Sequence, residues 1–89
     1  MTEHQIEVRV TPRRGILDPQ GKAVAGALAS LGFEGVSDVH VGRLIVFTLR
    51  AEGEEEARER ADAMCRQLLA NPVTEDYDVR VAPAEAAVQ

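Results

Sequence analysis

Asp38-Val39-His40-Val41-Gly42-Arg43-Leu44-Ile45-Val46-Phe47-Thr48-Leu49 is the stretch whose reading decides the fold. Val39 and Val41 alternate with Asp38 and His40, the period of two that marks a strand. Gly42-Arg43 reads as a tight reversal, and Leu44 to Leu49 as the strand that returns. The returning run is apolar on both faces, with Ile45, Phe47 and Leu49 on one and Leu44 and Val46 on the other. Such a strand needs cover twice over. In a chain of 89 residues the second cover is expected from another subunit.

Upstream of this hairpin, Gln5 to Thr11 points Ile6, Val8 and Val10 one way and Glu7 and Arg9 the other, a half-buried strand. Pro12 ends it, because proline cannot donate to a ladder. Thr11 to Leu17 is a loop containing Arg13, Arg14 and Gly15. Asp18-Pro19 starts a helix: the carboxylate can accept from first-turn amides, and proline suits the first helical position. Val24, Ala27, Leu28 and Leu31 recur at helical spacing. Gly32 supplies a left-handed cap, with Phe33 placed for the accompanying apolar contact. The helix is expected over Pro19 to Leu31.

Downstream, Glu52 to Ala70 reads as a second helix with an acidic start, Glu54-Glu55-Glu56, suited to the positive end of the helix dipole. Glu54 with Arg58, Glu56 with Arg60 and Asp62 with Arg66 stand at i,i+4 spacing. Ala57, Ala61, Met64, Cys65 and Leu68 form its expected buried stripe. Asn71-Pro72 stops the helix, and Tyr77, Val79 and Val81 alternate as a last strand. The order β-α-β-β-α-β predicts an α+β, ferredoxin-like two-layer sandwich: a four-stranded antiparallel sheet with two helices on one face. Residues 1–82 are read as one domain and 83–89 as a flexible C-terminal tail.

The charge balance, 15 acidic against 10 basic residues for a net −5, opposes general nucleic-acid binding, which needs cations to displace counterions from phosphates. Phe33, Phe47 and Tyr77 are too few aromatics for a base-stacking platform. The single Cys65 permits neither an internal disulfide nor a multi-thiolate metal site. No apolar run approaches membrane-spanning length and no leader pattern opens the chain, so a soluble, cytoplasmic protein is expected.

The residue types that carry chemistry are sparse. Cys65 sits on the helix stripe, where a buried thiol is unreactive. His4 is placed at a mobile terminus and His40 on the polar side of a strand, neither with a nucleophile at a recognisable spacing. No phosphate-cradling glycine loop is present. Carboxylates alone on an exposed helix start, as at Glu54 to Glu56, form no coordination shell. No catalytic residue and no metal site are expected on this chain. Arg13 and Arg14 precede a helix N-terminus, where positive charge opposes the dipole; solvated arginines, an acidic protein partner and a small anion are all open readings. Glu75, Asp76 and Tyr77 either cap the preceding turn or meet a partner.

Three blocks are more specific. Arg14-Gly15-Ile16-Leu17-Asp18-Pro19-Gln20-Gly21-Lys22-Ala23, Val36-Ser37-Asp38-Val39-His40-Val41-Gly42-Arg43 and Met64-Cys65-Arg66-Gln67-Leu68-Leu69-Ala70-Asn71-Pro72-Val73-Thr74-Glu75-Asp76-Tyr77 resemble, in order and spacing, signatures of the phosphoribosylformylglycinamidine synthase small subunit (PurS) family. Arg43 stands where that family usually has lysine, His40 where it has arginine, and Thr74 where it often has isoleucine.

The resemblance implies a small, non-catalytic subunit of an ATP- and glutamine-dependent C–N ligase complex in purine biosynthesis. A large synthetase subunit (PurL type) and a glutaminase subunit (PurQ type) would be its partners, with the chain itself a homodimer or homotetramer. ATP, Mg²⁺ and glutamine would be used by the complex, with no cofactor on this chain. Partner contacts are then expected at Arg13, Arg14, Asp18, Gln20, Gly21, Arg43, Asn71, Glu75, Asp76 and Tyr77. The alternatives are a ferredoxin-like small-molecule-binding regulatory module, with its site near Arg13 and Arg14, and an acylphosphatase-type enzyme. The latter lacks its asparagine, since Asn71 is the sole one in the chain.

Overall fold

The structure, a computed structural model, describes residues 2–83. Three strands form its sheet: β1 (Thr2–Pro12), β2 (Arg43–Ala51) and β3 (Glu75–Pro83). Their order is β2-β1-β3, with β1 central and antiparallel to both neighbours. Register follows the hydrophobic pattern. Val8 stands opposite Ile45 and Val79, and Ile6 opposite Phe47 and Val81, so one face of all three strands is apolar. Ile6, Val8 and Val10 on that face are buried. Helix α2 (Glu54–Met64) lies across it with Ala57 and Ala61 fully buried.

The four-stranded sheet expected from the sequence is not formed. Residues 38–42 make no ladder; they run from the N-terminal end of helix α1 (Pro19–Ser30) to β2. Three contacts hold them there. The Val41 N–H donates to the Asp18 carboxylate at 2.9 Å. The Val39 carbonyl sits where a Cβ on Gly21 would be, and Gly42 lies so close to the Val10 carbonyl that a Cβ there would also collide. A strand beside β2 would need these backbone groups for its own ladder, and the helix start has already taken them. The Gly42-Arg43 reversal is therefore a crossing over the end of β1.

The two helices also do not share one face in the expected way. Gly21 is the buried residue of α1, while Val24, Leu31 and Phe33 are exposed. The C-terminus of α1 is as expected: Gly32 (φ 93°) and Phe33 donate to the carbonyls of Ala29 and Leu28, a Schellman closure.

Helix α2 ends sooner than the stripe predicts. Cys65–Leu69 is a π-helical turn closed by the Ala70 N–H on the Cys65 carbonyl at 3.0 Å. The wider turn carries Leu69 and Ala70 toward the core and turns Leu68 outward. Leu68 is 81% exposed, which corrects its place in the expected stripe. Of the i,i+4 pairs, Glu54–Arg58 and Asp62–Arg66 form. Glu56 instead accepts from the Glu52 N–H, and Arg60 donates to the Arg50 carbonyl. His4 does not lie at a mobile terminus: it is a β1 residue opposite Leu49 and Pro83, and only 8% exposed. Within the expected tail, Pro83 closes β3 and residues 84–89 lie outside the described residues.

The register of the π turn can be checked directly. Ile6→Ala should cost about 2–5 kcal/mol in urea unfolding, whereas Leu68→Ala should stay within about 0.5 kcal/mol. Equal costs would return Leu68 to the core.

Candidate functional site

Two hydrogen-bonded knots gather most of the residues singled out in the sequence. The first is Asp18. Its Oδ1 accepts from the Gly21 N–H at 3.0 Å, capping α1. Its Oδ2 accepts from Val41, 23 residues on, and lies 3.5 Å from Nδ1 of His40. The Nε2 of His40 is 3.1 Å from Oδ1 of Asp38, a residue in the left-handed region at φ 60° that aspartate tolerates. The Gly21 amide first, then the Val41 amide and His40, hold the Asp18 carboxyl below its ordinary range.

The second knot closes the other end of the loop system. Arg43, the first residue of β2, grips Glu75, the first of β3, with both terminal nitrogens at 2.8 and 3.1 Å. It also donates to the Leu69 carbonyl at 2.6 Å, satisfying an acceptor that the π turn leaves free. Glu75 accepts from the Asn71 N–H at 2.8 Å as well. The Asn71 side chain accepts from the Val73 N–H, so the Asn71–Glu75 turn is fixed throughout. The paired charges raise the Arg43 pKa and lower that of Glu75, whose carboxylate is held first by Arg43 and then by Asn71.

The remaining residues divide. Arg13 sits beside this turn, its N–H on the Thr74 carbonyl and its Nε 3.2 Å from Asp76. Tyr77 donates to Asp62 at 2.5 Å, a bond that raises its pKa, and Arg66 holds the same carboxylate. Asp76 and Tyr77 thus have partners inside the chain. Arg14 takes none among the described residues, and Gln20 lies exposed in the first turn of α1. Arg14, Ile16, Leu17, Asp38 and His40 line an open groove of about 530 Å³. Sequence reasoning missed the contact of His40 with Asp18 and the bond from Tyr77 to Asp62, both between residues far apart in the chain, and the outward Leu68 and Val73, 81% and 75% exposed, that flank the turn.

Burial raises the pKa of the Cys65 thiol, a low-reactivity environment. Among the described residues no group of three or more His, Cys, Asp or Glu side chains is placed to hold a metal ion. The polar side chains instead tie loops to strands, while apolar side chains and Arg14 stand open on the surface. Fold and surface together define a small ferredoxin-like α+β domain, short of one strand among the described residues.

The family model for phosphoribosylformylglycinamidine (FGAM) synthase, PurS, matches residues 5–83. A PurS subunit from Synechocystis sp. is 44% identical over 96% of this chain and 85% of its own length. That of Methanocaldococcus jannaschii is 35% identical over 92% and 99%; its crystal structure superposes with a TM-score of 0.79 over 90% of this chain and 96% of that one. A chain in the structure of PurLQS from Thermotoga maritima matches with a TM-score of 0.83 at 31% identity, over 91% of this chain and 99% of that one. The chain belongs to the PurS family of FGAM synthase subunits.

Both knots carry a pH signature. Asp18 and Glu75 lie below their ordinary values of 3.8 and 4.5, so the unfolded chain binds more protons there than the folded one. Their stabilisation is complete above those values and lost as pH falls through the lowered ones. Thermal unfolding from about pH 7 to about pH 3 should show the loss. Asp18→Asn combined with Glu75→Gln should lower Tm at neutral pH and flatten that slope; an unchanged slope would place the titration elsewhere.

Proposed function

We propose that this chain is the small, structural subunit of an FGAM synthase assembly, joining a large synthetase subunit to a glutaminase subunit and supporting ammonia delivery between them. The carrying observation is the likeness to the T. maritima PurLQS chain, which spans 99% of that chain. The match covers 91% of this chain, so the likeness extends over nearly the whole of it.

The chemistry explains why such a subunit is useful. In the resembled reaction ATP activates an amide oxygen, and ammonia released from glutamine displaces it to give an amidine. Ammonia escaping to neutral water is protonated and ceases to be a nucleophile. Holding the two active sites in one assembly keeps it in the reactive form. ATP, Mg²⁺ and glutamine belong to the partner subunits in this reading, and the knots at Asp18 and Arg43 shape surface that those subunits grip. Arg13, Arg14, Asp18, Gln20, Gly21, Arg43, Asn71, Glu75, Asp76 and Tyr77 form or support the contacts. Arg14 is the foremost of them, an arginine with no partner among the described residues and beside exposed Ile16 and Leu17, the pairing favoured at interfaces.

The chain also associates with itself in this reading, as a homodimer or homotetramer. The exposed Leu44 and Val46 on the outer face of β2 supply the second apolar face that needs cover. No helix among the described residues is long and apolar enough to cross a membrane, and the assembly is placed in the cytoplasm.

Arg14→Glu should leave the circular dichroism spectrum and Tm unchanged while reducing co-purification with the synthetase and glutaminase subunits at least tenfold, about 1.4 kcal/mol. Undiminished co-purification would remove Arg14 from the contact.

A further inference from the structure

The imidazole of His40 stands between two carboxylates and turns one nitrogen to each. Its Nδ1 is 3.5 Å from Oδ2 of Asp18, and its Nε2 is 3.1 Å from Oδ1 of Asp38. A neutral imidazole carries one N–H and one lone pair, whereas an ionised carboxylate only accepts. In either neutral tautomer a ring lone pair therefore faces an oxygen that has no proton to give. The imidazolium, with an N–H on both nitrogens, is the form that suits both contacts at once. The other charged groups lining the surrounding grooves are Arg14, from the loop after β1, and Lys22, from α1. Among the described residues neither is paired with Asp18 or Asp38, which leaves the ring as the cation between the two carboxylates.

We propose that His40 is a proton-operated latch on residues 36–40: the charged ring ties Asp38 to the Asp18 knot, and loss of one ring proton lets the segment go. Backbone geometry gives the segment somewhere to go. Asp38 is held at φ 60°, left-handed backbone that is uncommon outside glycine, and Gly35 just before it lies at φ 84°. Once the ring no longer grips its carboxylate, Asp38 relaxes to an ordinary negative φ and the segment moves with it. The movement stops at Val41, whose amide stays on Asp18 whatever the charge of the ring. Imidazole is the side chain whose charge changes between about pH 5 and 8. The charged ring prevails at the acid end of that window, so the latch closes on acidification and opens as pH rises. Asp38 and His40 line one groove with Arg14, Ile16 and Leu17, the surface given above to the partner subunits. A closed latch presents that groove already ordered, which lowers the conformational cost of docking, so assembly is tighter toward pH 5 than toward pH 8. This consequence rests on the subunit reading; the latch itself does not.

The test is the order of residues 36–40 in the full chain, read from NMR relaxation of the backbone amides at about pH 5.5 and about pH 8. The parent should pass from order parameters of about 0.85 to below about 0.6 across that interval. His40→Arg, whose charge persists at both ends, should keep the segment ordered throughout, and His40→Gln, which carries none, should leave it mobile throughout. A parent equally ordered at both ends overturns the latch. So does either variant that repeats the parent's response to pH; should His40→Gln fail to fold, His40→Arg decides alone. For the assembly, co-purification of the parent with the synthetase and glutaminase subunits should fall about fivefold over the same interval, the lower end of coupling between two sites. His40→Arg should abolish that fall, and an equal fall in parent and variant would remove His40 from docking. Failure of the subunit reading looks different: the parent would co-purify at neither pH, while relaxation would still decide the latch.

Discussion

The Asp18 carboxylate, shared between the amides of Gly21 and Val41, sets the architecture on which everything else rests. One oxygen caps a helix. The other takes a backbone donor that would otherwise belong to a sheet. A charge-assisted bond to a backbone amide is stronger than a neutral ladder bond, and here it comes with a glycine whose missing side chain lets the Val39 carbonyl pack against the helix. The consequence is a ferredoxin-like domain short of one strand, with a helix held by its N-terminus and left largely uncovered.

The Arg43 knot is the counterpart at the opposite side of the loop system. A guanidinium that grips a carboxylate with two nitrogens and a carbonyl with one joins the first residues of β2 and β3 to the end of the π turn. It thereby fixes the attitude of Leu68 and Val73. The two knots together explain how an 89-residue chain with a modest core keeps its loops in defined positions. Defined loops lower the conformational cost of docking, because side chains already held in place lose less freedom on binding.

Much of this architecture is legible in the amino-acid sequence. The alternation of β1, the Asp18-Pro19 start and the Gly32 closure of α1 are local signals, and each is found where its residues place it. Val39 and Val41 mislead because alternation reports a local preference, whereas the fate of the Val41 amide is decided by an acceptor 23 residues away. Leu68 misleads for a related reason: α-helical spacing assumes a regular helix, and the turn at Cys65 is wider. His4 looks terminal by position alone, but the β1 ladder begins at Thr2. Among the site residues, Asp18, Gly21, Arg43, Asn71 and Glu75 all stand out in the sequence. Their bonding partners, His40, Leu69 and the Val41 amide, do not, since pairing across the chain leaves no periodic trace.

The PurS match over residues 5–83 turns these observations toward one role, that of a subunit contributing surfaces to an FGAM synthase assembly. The most direct measurement is amidine formation by the synthetase and glutaminase subunits with and without this chain, run once with glutamine and once with ammonium salt. Omitting the chain should abolish the glutamine-driven rate and spare most of the ammonia-driven one. Equal glutamine-driven rates with and without it would contradict the account.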